Sequence, residues 1–336
     1  MIALLKSLFN RKKNVLVLGC DGMLGFDVCN KLKLLSGIAN SSIGTVVGLD
    51  LEDGYDFSLP HALGNFLGSS IRFDYCVNCI AHTDTSAAQN TKEGYADSYR
   101  LNALVPKYLA ESCNFHNVKL IHISTDYVFS ERSLVRPFQA VSNDDQFGAD
   151  GTEFPVNVYG THKLIGELFM KNEFATENPT GYAILRTSWL YGRHNHKSFI
   201  HRFLSNVKRC VTEDRPIEVT QNEYSIPTST DYLSDRILDV IEANGFGVFN
   251  AVPNCPQPLV SRRDFAETIL RMLPANFEVN GKPINDLEVL GVDRDAYQPV
   301  YSMMKSSFEH TLGWEHYLRD FLWNNDQDLR EYLAKS

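Results

Sequence analysis

Apolar positions in the first half of the chain gather into short runs separated by longer amphipathic stretches. Asn14 to Leu18 reads NVLVL, Thr45 to Leu49 reads TVVGL and ends at Asp50, Tyr75 to Ile80 reads YCVNCI, Val118 to Ile123 reads VKLIHI, and Gly181 to Leu185 reads GYAIL. Runs this short and this apolar are the mark of parallel strands covered on both faces. Helical periodicity fills the gaps, over about Leu24 to Leu35, Tyr95 to Cys113 and Tyr159 to Asn172. Strands alternating with helices predict an α/β fold, a Rossmann-like doubly wound parallel sheet.

Beyond Arg186 the alternation fades and prolines become frequent (216, 227, 253, 256, 258, 274, 283 and 299). That pattern suits a smaller carboxy-terminal substrate-binding lobe. The expected division is a dinucleotide-binding domain over 1–186 and a lobe over 187–336, with part of 217–245 returning to the first domain. The connection from Ser130 to Val158 carries Asn143-Asp144-Asp145 and Gly148-Ala149-Asp150-Gly151. This is loop chemistry, and its length points to a functional loop rather than a core element.

Charge narrows the range of partners. A formal net charge of -9 over 336 residues argues against non-specific nucleic-acid binding, which needs a basic surface. A small anionic substrate stays open, since one helix terminus can hold a phosphate. The first residues, MIALLKSLFNRKKN, are too short an apolar stretch to span a bilayer, and their basic run follows instead of preceding it. A short amphipathic extension, no membrane span and a cytoplasmic location are expected. Seven cysteines, an odd number, suggest reduced thiols. Cys76 and Cys79 form a C-x-x-C within an apolar run, where residues three apart face opposite ways. His194, His196 and His201 lack partners at ligand spacing, so no metal is expected.

Two clusters carry chemistry. Gly19-Cys20-Asp21-Gly22-Met23-Leu24-Gly25 follows the first strand and opens a helix, where glycines allow backbone amides to approach a pyrophosphate. Asp50, closing the second strand, stands where an acid bonds the adenosine ribose; Asp56 and Phe57 could form the adenine end. Tyr159 and Lys163 lie four apart at the start of a helix, hence on one face. An ammonium there favours the phenolate of a tyrosine whose ordinary pKa is about 10. Thr125 follows the 118–123 strand and would stand at the carboxyl edge of the sheet, able to hold a substrate carbonyl beside Tyr159.

These residues, with Ala81-His82-Thr83, Asn102, the run Ser124-Thr125-Asp126-Tyr127-Val128-Phe129, Asn157-Val158-Tyr159-Gly160-x-x-Lys163, Arg186-Thr187-Ser188-Trp189-x-Tyr191 and Pro227-Thr228, resemble the dTDP-4-dehydrorhamnose reductase family. That family is a branch of the extended short-chain dehydrogenases, and the similarity is densest up to about Ile241. The resemblance implies Thr125, Tyr159 and Lys163 as catalytic. It implies Gly19, Gly22, Met23, Leu24, Gly25, Asp50, Asp56, Phe57, Ala81, His82 and Thr83, together with Tyr159 and Lys163, on NADPH or NADH. It places Thr125, Asp126 and Trp189 on a nucleotide-sugar substrate and leaves room for a homodimer. The implied reaction is reduction of the 4-keto group of a nucleotide-linked 6-deoxysugar, dTDP-4-dehydro-L-rhamnose giving dTDP-L-rhamnose. The alternatives are an epimerase or reductase of another sugar nucleotide, and a non-catalytic dinucleotide-binding regulatory subunit. Departures from the family pattern fall at Asp84 to Gln89, in the long 130–158 connection, and at Gln298-Pro299-Val300-Tyr301-Ser302-Met303.

Overall fold

The computed structural model describes residues 11–69, 71–129, 148–175, 178, 180–257, 259–285, 287–293 and 298–335. The amphipathic extension at the amino terminus, and most of the 130–158 connection, lie outside the described residues. Six strands form the central sheet: β1 (Lys13–Leu18), β2 (Ile43–Leu49), β3 (Tyr75–Asn78), β4 (Lys119–Thr125), β5 (Tyr182–Thr187) and β6 (Gly247–Asn250). Their order is β2-β1-β3-β4-β5-β6, parallel from β2 through β4. The order reverses at β1, and the crevice beyond the carboxyl ends of strands at such a reversal is where open α/β sheets bind ligands.

Helices α1 (Met23–Ser36), α2 (Ala62–Ser69), α3 (Thr85–Asn90), α4 (Lys92–Tyr99), α5 (Val105–Phe115) and α6 (Val158–Phe174) belong to the first half. The periodicity between Tyr95 and Cys113 predicts one helix; the structure has two, joined by a π turn at Arg100–Leu104. Periodicity misses such a turn because one extra residue barely disturbs the apolar spacing. Two elements have weak signals in the sequence: α2 holds two glycines among its eight residues, and β6 is a four-residue strand within the proline-rich half.

Side-chain alternation along the strands builds the core. Leu16 and Leu18 of β1, Cys76 of β3, Leu120 of β4 and Ile184 of β5 share one cluster with Leu109 of α5 and with Met170 and Phe174 of α6. Across this face the register aligns Leu16, Cys76 and Leu120 in one row, and Leu18, Asn78 and His122 in the next row toward the carboxyl edge. The first row is apolar throughout. The second turns polar under α6, although Asn78 and His122 are both wholly buried.

Contacts divide the chain into two compact units: 1–125, 158–185 and 234–249 form the first, and 126–157, 186–233 and 250–336 the second. The chain leaves the sheet where β4 ends, at Thr125, and the described residues 126–129 and 148–157 group with the second unit. The second unit contains α7 (Phe199–Glu213), α9 (Arg262–Met272), α10 (Trp314–Asn324) and α11 (Asp326–Lys335), while most of α8 (Thr230–Ala243) packs with the first. Among the described residues no helix is long and apolar enough to cross a membrane.

Gly19 and Gly25 fix the entry of α1. Gly19 has φ +76°, a left-handed conformation that side chains rarely adopt, and a Cβ on Gly25 would stand 2.0 Å from the Gly19 carbonyl oxygen. Gly25→Ala should destabilise the protein by about 3 kcal/mol and weaken NADH binding. Urea unfolding and a fluorescence titration with NADH test this, and an unperturbed variant would contradict the close approach.

Candidate active site

The glycine loop ends in a helix terminus with nothing on it. Gly22 is the N-cap of α1, no side chain caps it, and no acid sits in the first turn. Early amide groups of a helix have no partner within the helix, and its dipole favours an anion there. The loop is moored behind: Gly19 N donates to Leu49 O at 2.9 Å, and Gly22 N to Gly19 O at 3.1 Å. Asp50 adds a second mooring. Its carboxylate accepts from Asp21 N at 3.0 Å and from Leu51 N at 2.7 Å, holding the loop against the end of β2. Glycines that admit close backbone approach, an uncapped helix terminus and an acid at the strand end together fit a dinucleotide.

Downstream the outcome is more varied. The Asp56 carboxyl is held below the usual carboxylate range, mainly by hydrogen bonds from Ser58. Phe57 is buried in the core, stacked with Tyr55, so any ligand contact there would come from its backbone. Ala81, His82 and Thr83 leave the carboxyl side of β3, and Asn102 clamps them. Its Oδ1 accepts from His82 N at 3.1 Å, and its Nδ2 donates to His82 O at 2.9 Å and to Ser98 Oγ at 3.1 Å. Asn102 sits in the π turn, a distortion that often marks functional positions.

The catalytic candidates all fall in the first unit. Thr125 is the last residue of β4 and is buried. Tyr159 is half-buried in the first turn of α6, and Lys163 follows one turn later, 1% exposed. Lys163 Nζ donates to Ile123 O at 2.6 Å and lies 3.2 Å from His122 Nε2. Burial lowers the Lys163 pKa to about 8, against the opposing influence of Glu167 and Cys79. The sequence reading left three contributors out of the site: Asn102, His122 and Ser124. Ser124 Oγ and His82 Nδ1 are buried without a hydrogen-bond partner, and buried polar atoms of this kind call for a ligand or water. Little in the sequence marks His122, a polar residue between two isoleucines of an apolar run.

Asp126 and Trp189 belong to the second unit. Asp126 is buried, and its Oδ2 accepts from Ser225 Oγ at 2.7 Å and Ser302 Oγ at 2.5 Å. Ser302 lies in the carboxy-terminal segment that departs from the family pattern, and it has a definite partner here. Trp189 has φ +39°, an outlier for a bulky residue and a mark of backbone strain. The Arg262 guanidinium stacks 3.8 Å from its ring centroid. Cys76 and Cys79 are both free thiols.

Comparison with known proteins settles the lineage. The profile of the family described as RmlD substrate binding domain matches residues 13–326. The chain belongs to that family. A dTDP-4-dehydrorhamnose reductase of Mycolicibacterium smegmatis is 27% identical over 318 residues, spanning 92% of this chain and 84% of the relative. A dTDP-4-keto-6-deoxy-D-glucose reductase of Streptomyces niveus is 28% identical over 235 residues, 70% of this chain and 71% of the relative. Among solved structures, a dTDP-4-dehydrorhamnose reductase of Clostridium acetobutylicum superposes with TM-score 0.74 at 27% identity, covering 93% of this chain and 99% of that one. One from Bacillus anthracis in complex with NADP gives 0.73 at 25%, covering 94% and 99%.

The clamp by Asn102 can be tested within this RmlD-type site. Asn102→Ala strands the partly buried backbone groups of His82 and should cost about 1–3 kcal/mol of stability. Dinucleotide affinity should fall with it; unfolding by urea and NADH titration read the two effects separately.

Proposed function

We propose that this chain reduces the 4-keto group of a dTDP-linked 6-deoxyhexose at the expense of NADH or NADPH, converting dTDP-4-dehydro-L-rhamnose to dTDP-L-rhamnose. The observation that carries the chemistry is the buried amino group of Lys163, one helical turn after Tyr159 and against the carboxyl end of β4. Family membership and relatives that reduce dTDP-4-keto sugars supply the substrate class.

When bound, the reduced nicotinamide supplies the hydride. Gly19, Gly22, Met23, Leu24 and Gly25 would hold its pyrophosphate at the α1 terminus. Asp50 would take the adenosine ribose, with Asp56 and Phe57 at the adenine end and Ala81, His82 and Thr83 along the rest. Tyr159 gives its phenolic proton to the keto oxygen as negative charge develops there. Lys163, when protonated, stabilises the phenolate left behind and binds the nicotinamide ribose. Thr125 donates a hydrogen bond to the same keto oxygen, an interaction that strengthens as charge builds and so favours the transition state. Asp126 and Trp189 are assigned to the sugar on the family pattern. A homodimer, on the family resemblance, and a cytoplasmic location, on the sequence pattern, complete the proposal. The Streptomyces niveus relative favours one variation, another dTDP-4-keto-6-deoxyhexose as substrate.

Tyr159→Phe should lower kcat by about 10²- to 10⁴-fold while dinucleotide affinity stays within about threefold, about 0.7 kcal/mol. Stoichiometric oxidation of NADH, followed by absorbance with dTDP-4-dehydrorhamnose, separates this reductase from an epimerase, which returns its nicotinamide unchanged. Asp50 should repel a 2′-phosphate, so kcat/KM with NADH should exceed that with NADPH by about tenfold, and Asp50→Ser should erode the difference. An equal preference in the unaltered enzyme would remove Asp50 from this role.

A further inference from the structure

The hydrogen-bond roles around Lys163 can be assigned one atom at a time. Asn78, closing β3, accepts from the backbone N–H of Ile80 through Oδ1 at 3.0 Å. A backbone N–H only donates, so the amide cannot be flipped without setting two donors together. Asn78 Nδ2 therefore faces His122 Nδ1, 3.0 Å away, as a donor. Nδ1 must accept, so it carries no proton. Burial pushes the His122 pKa well below its ordinary value, so the ring is neutral. Its single proton then sits on Nε2, which points at Lys163 Nζ 3.2 Å away.

An ammonium has no lone pair. With Lys163 charged, Nε2–H and Nζ–H would meet as two donors across 3.2 Å, too close for a water between them. The opposite tautomer only moves the clash to Asn78. With Lys163 as a neutral amine every role is filled: Nζ donates to Ile123 O at 2.6 Å and accepts from His122. We propose that His122, its tautomer pinned by Asn78, is a positioning residue that disfavours the charged form of Lys163 in the ligand-free protein and thereby sets the pH above which the lysine can no longer assist Tyr159.

The groups acting on Lys163 come from three elements. His122 reaches it from β4, Cys79 from the turn after β3, and Glu167 from α6 itself, where Glu167 also pairs with Lys171 at 3.4 Å. Glu167 favours the charged lysine and burial opposes it. Burial also pushes the Cys79 thiol far up, so it brings no charge at neutral pH. The balance therefore rests on burial and on the donor that His122 presents.

The link to catalysis rests on the role given to Tyr159 and Lys163 above, whereas the protonation itself does not. The full-length, ligand-free protein carrying 13Cε-lysine is titrated by NMR, with Lys163 assigned by comparison with Lys163→Met. In the unaltered protein Lys163 should titrate near 8. His122→Gln offers a carbonyl oxygen in place of Nε2, and Asn78→Ala frees the tautomer; each should raise the midpoint by one pH unit or more. A Lys163 titrating near 10.5 in the unaltered protein, or a midpoint that neither variant moves, overturns the proposal. In the reductase assay the alkaline limb of kcat/KM should shift upward in His122→Gln by a similar amount. If the NMR midpoint moves and no reductase activity exists with any dTDP-4-keto sugar, His122 keeps its role and the functional reading falls. If activity exists and its alkaline limb ignores His122→Gln, the link between His122 and the reaction is overturned.

Discussion

An amino group buried at the edge of an apolar core is the constraint around which this site is organised. Taking an ionisable amine out of water is costly unless it is neutral or fully paired. The chain meets that cost locally. Where the row Leu16, Cys76, Leu120 gives way to Leu18, Asn78, His122, the sheet face turns polar just as α6 brings Lys163 onto it. The carbonyl of Ile123 and the ring of His122 then take up the amine. Placement and protonation of the lysine thus follow from strand register as much as from the helix that carries it.

The same economy governs the rest of the first unit. Gly25 lets α1 lie against the Gly19 carbonyl, Asp50 ties the loop to β2, and Asn102 secures the segment after β3. Each fixes backbone near the carboxyl ends of β1, β2 and β3, where the strand order reverses. Among the described residues, an uncapped helix terminus, Ser124 Oγ and His82 Nδ1 stand unsatisfied at the carboxyl side of the sheet. A rigid frame with unfilled hydrogen-bonding groups at its rim suits ligand binding, because ordering of the protein then adds little to the cost of association.

The strands and the Tyr159–Lys163 helix were legible in the sequence because burial on both faces leaves unbroken apolar runs, and because a four-residue spacing is a local property. Asp50 and the glycine loop were legible for the same reason. Asn78 and His122 were not. Each looks like an interruption of a strand, and its meaning comes from a neighbour 44 residues away in the sequence. The π turn escaped because apolar periodicity tolerates one added residue, and β6 because four residues carry little periodic signal. The change of unit at Thr125 leaves no mark in the sequence, because a chain can exit a sheet without any change in composition.

That π turn has a genetic consequence. An ordinary helix advances by about 100° per residue, and the wide turn at Arg100–Leu104 takes up one residue more than such a helix would need between α4 and α5. Deleting one codon within those five would let the segment wind as an ordinary helix, with α4 and α5 kept nearly in phase but without the wide turn that carries Asn102. Asn102 would then lose its place against His82, while Leu109 and Cys113 could stay in the core. The segment should therefore tolerate point substitution at its exposed positions far better than a change in length.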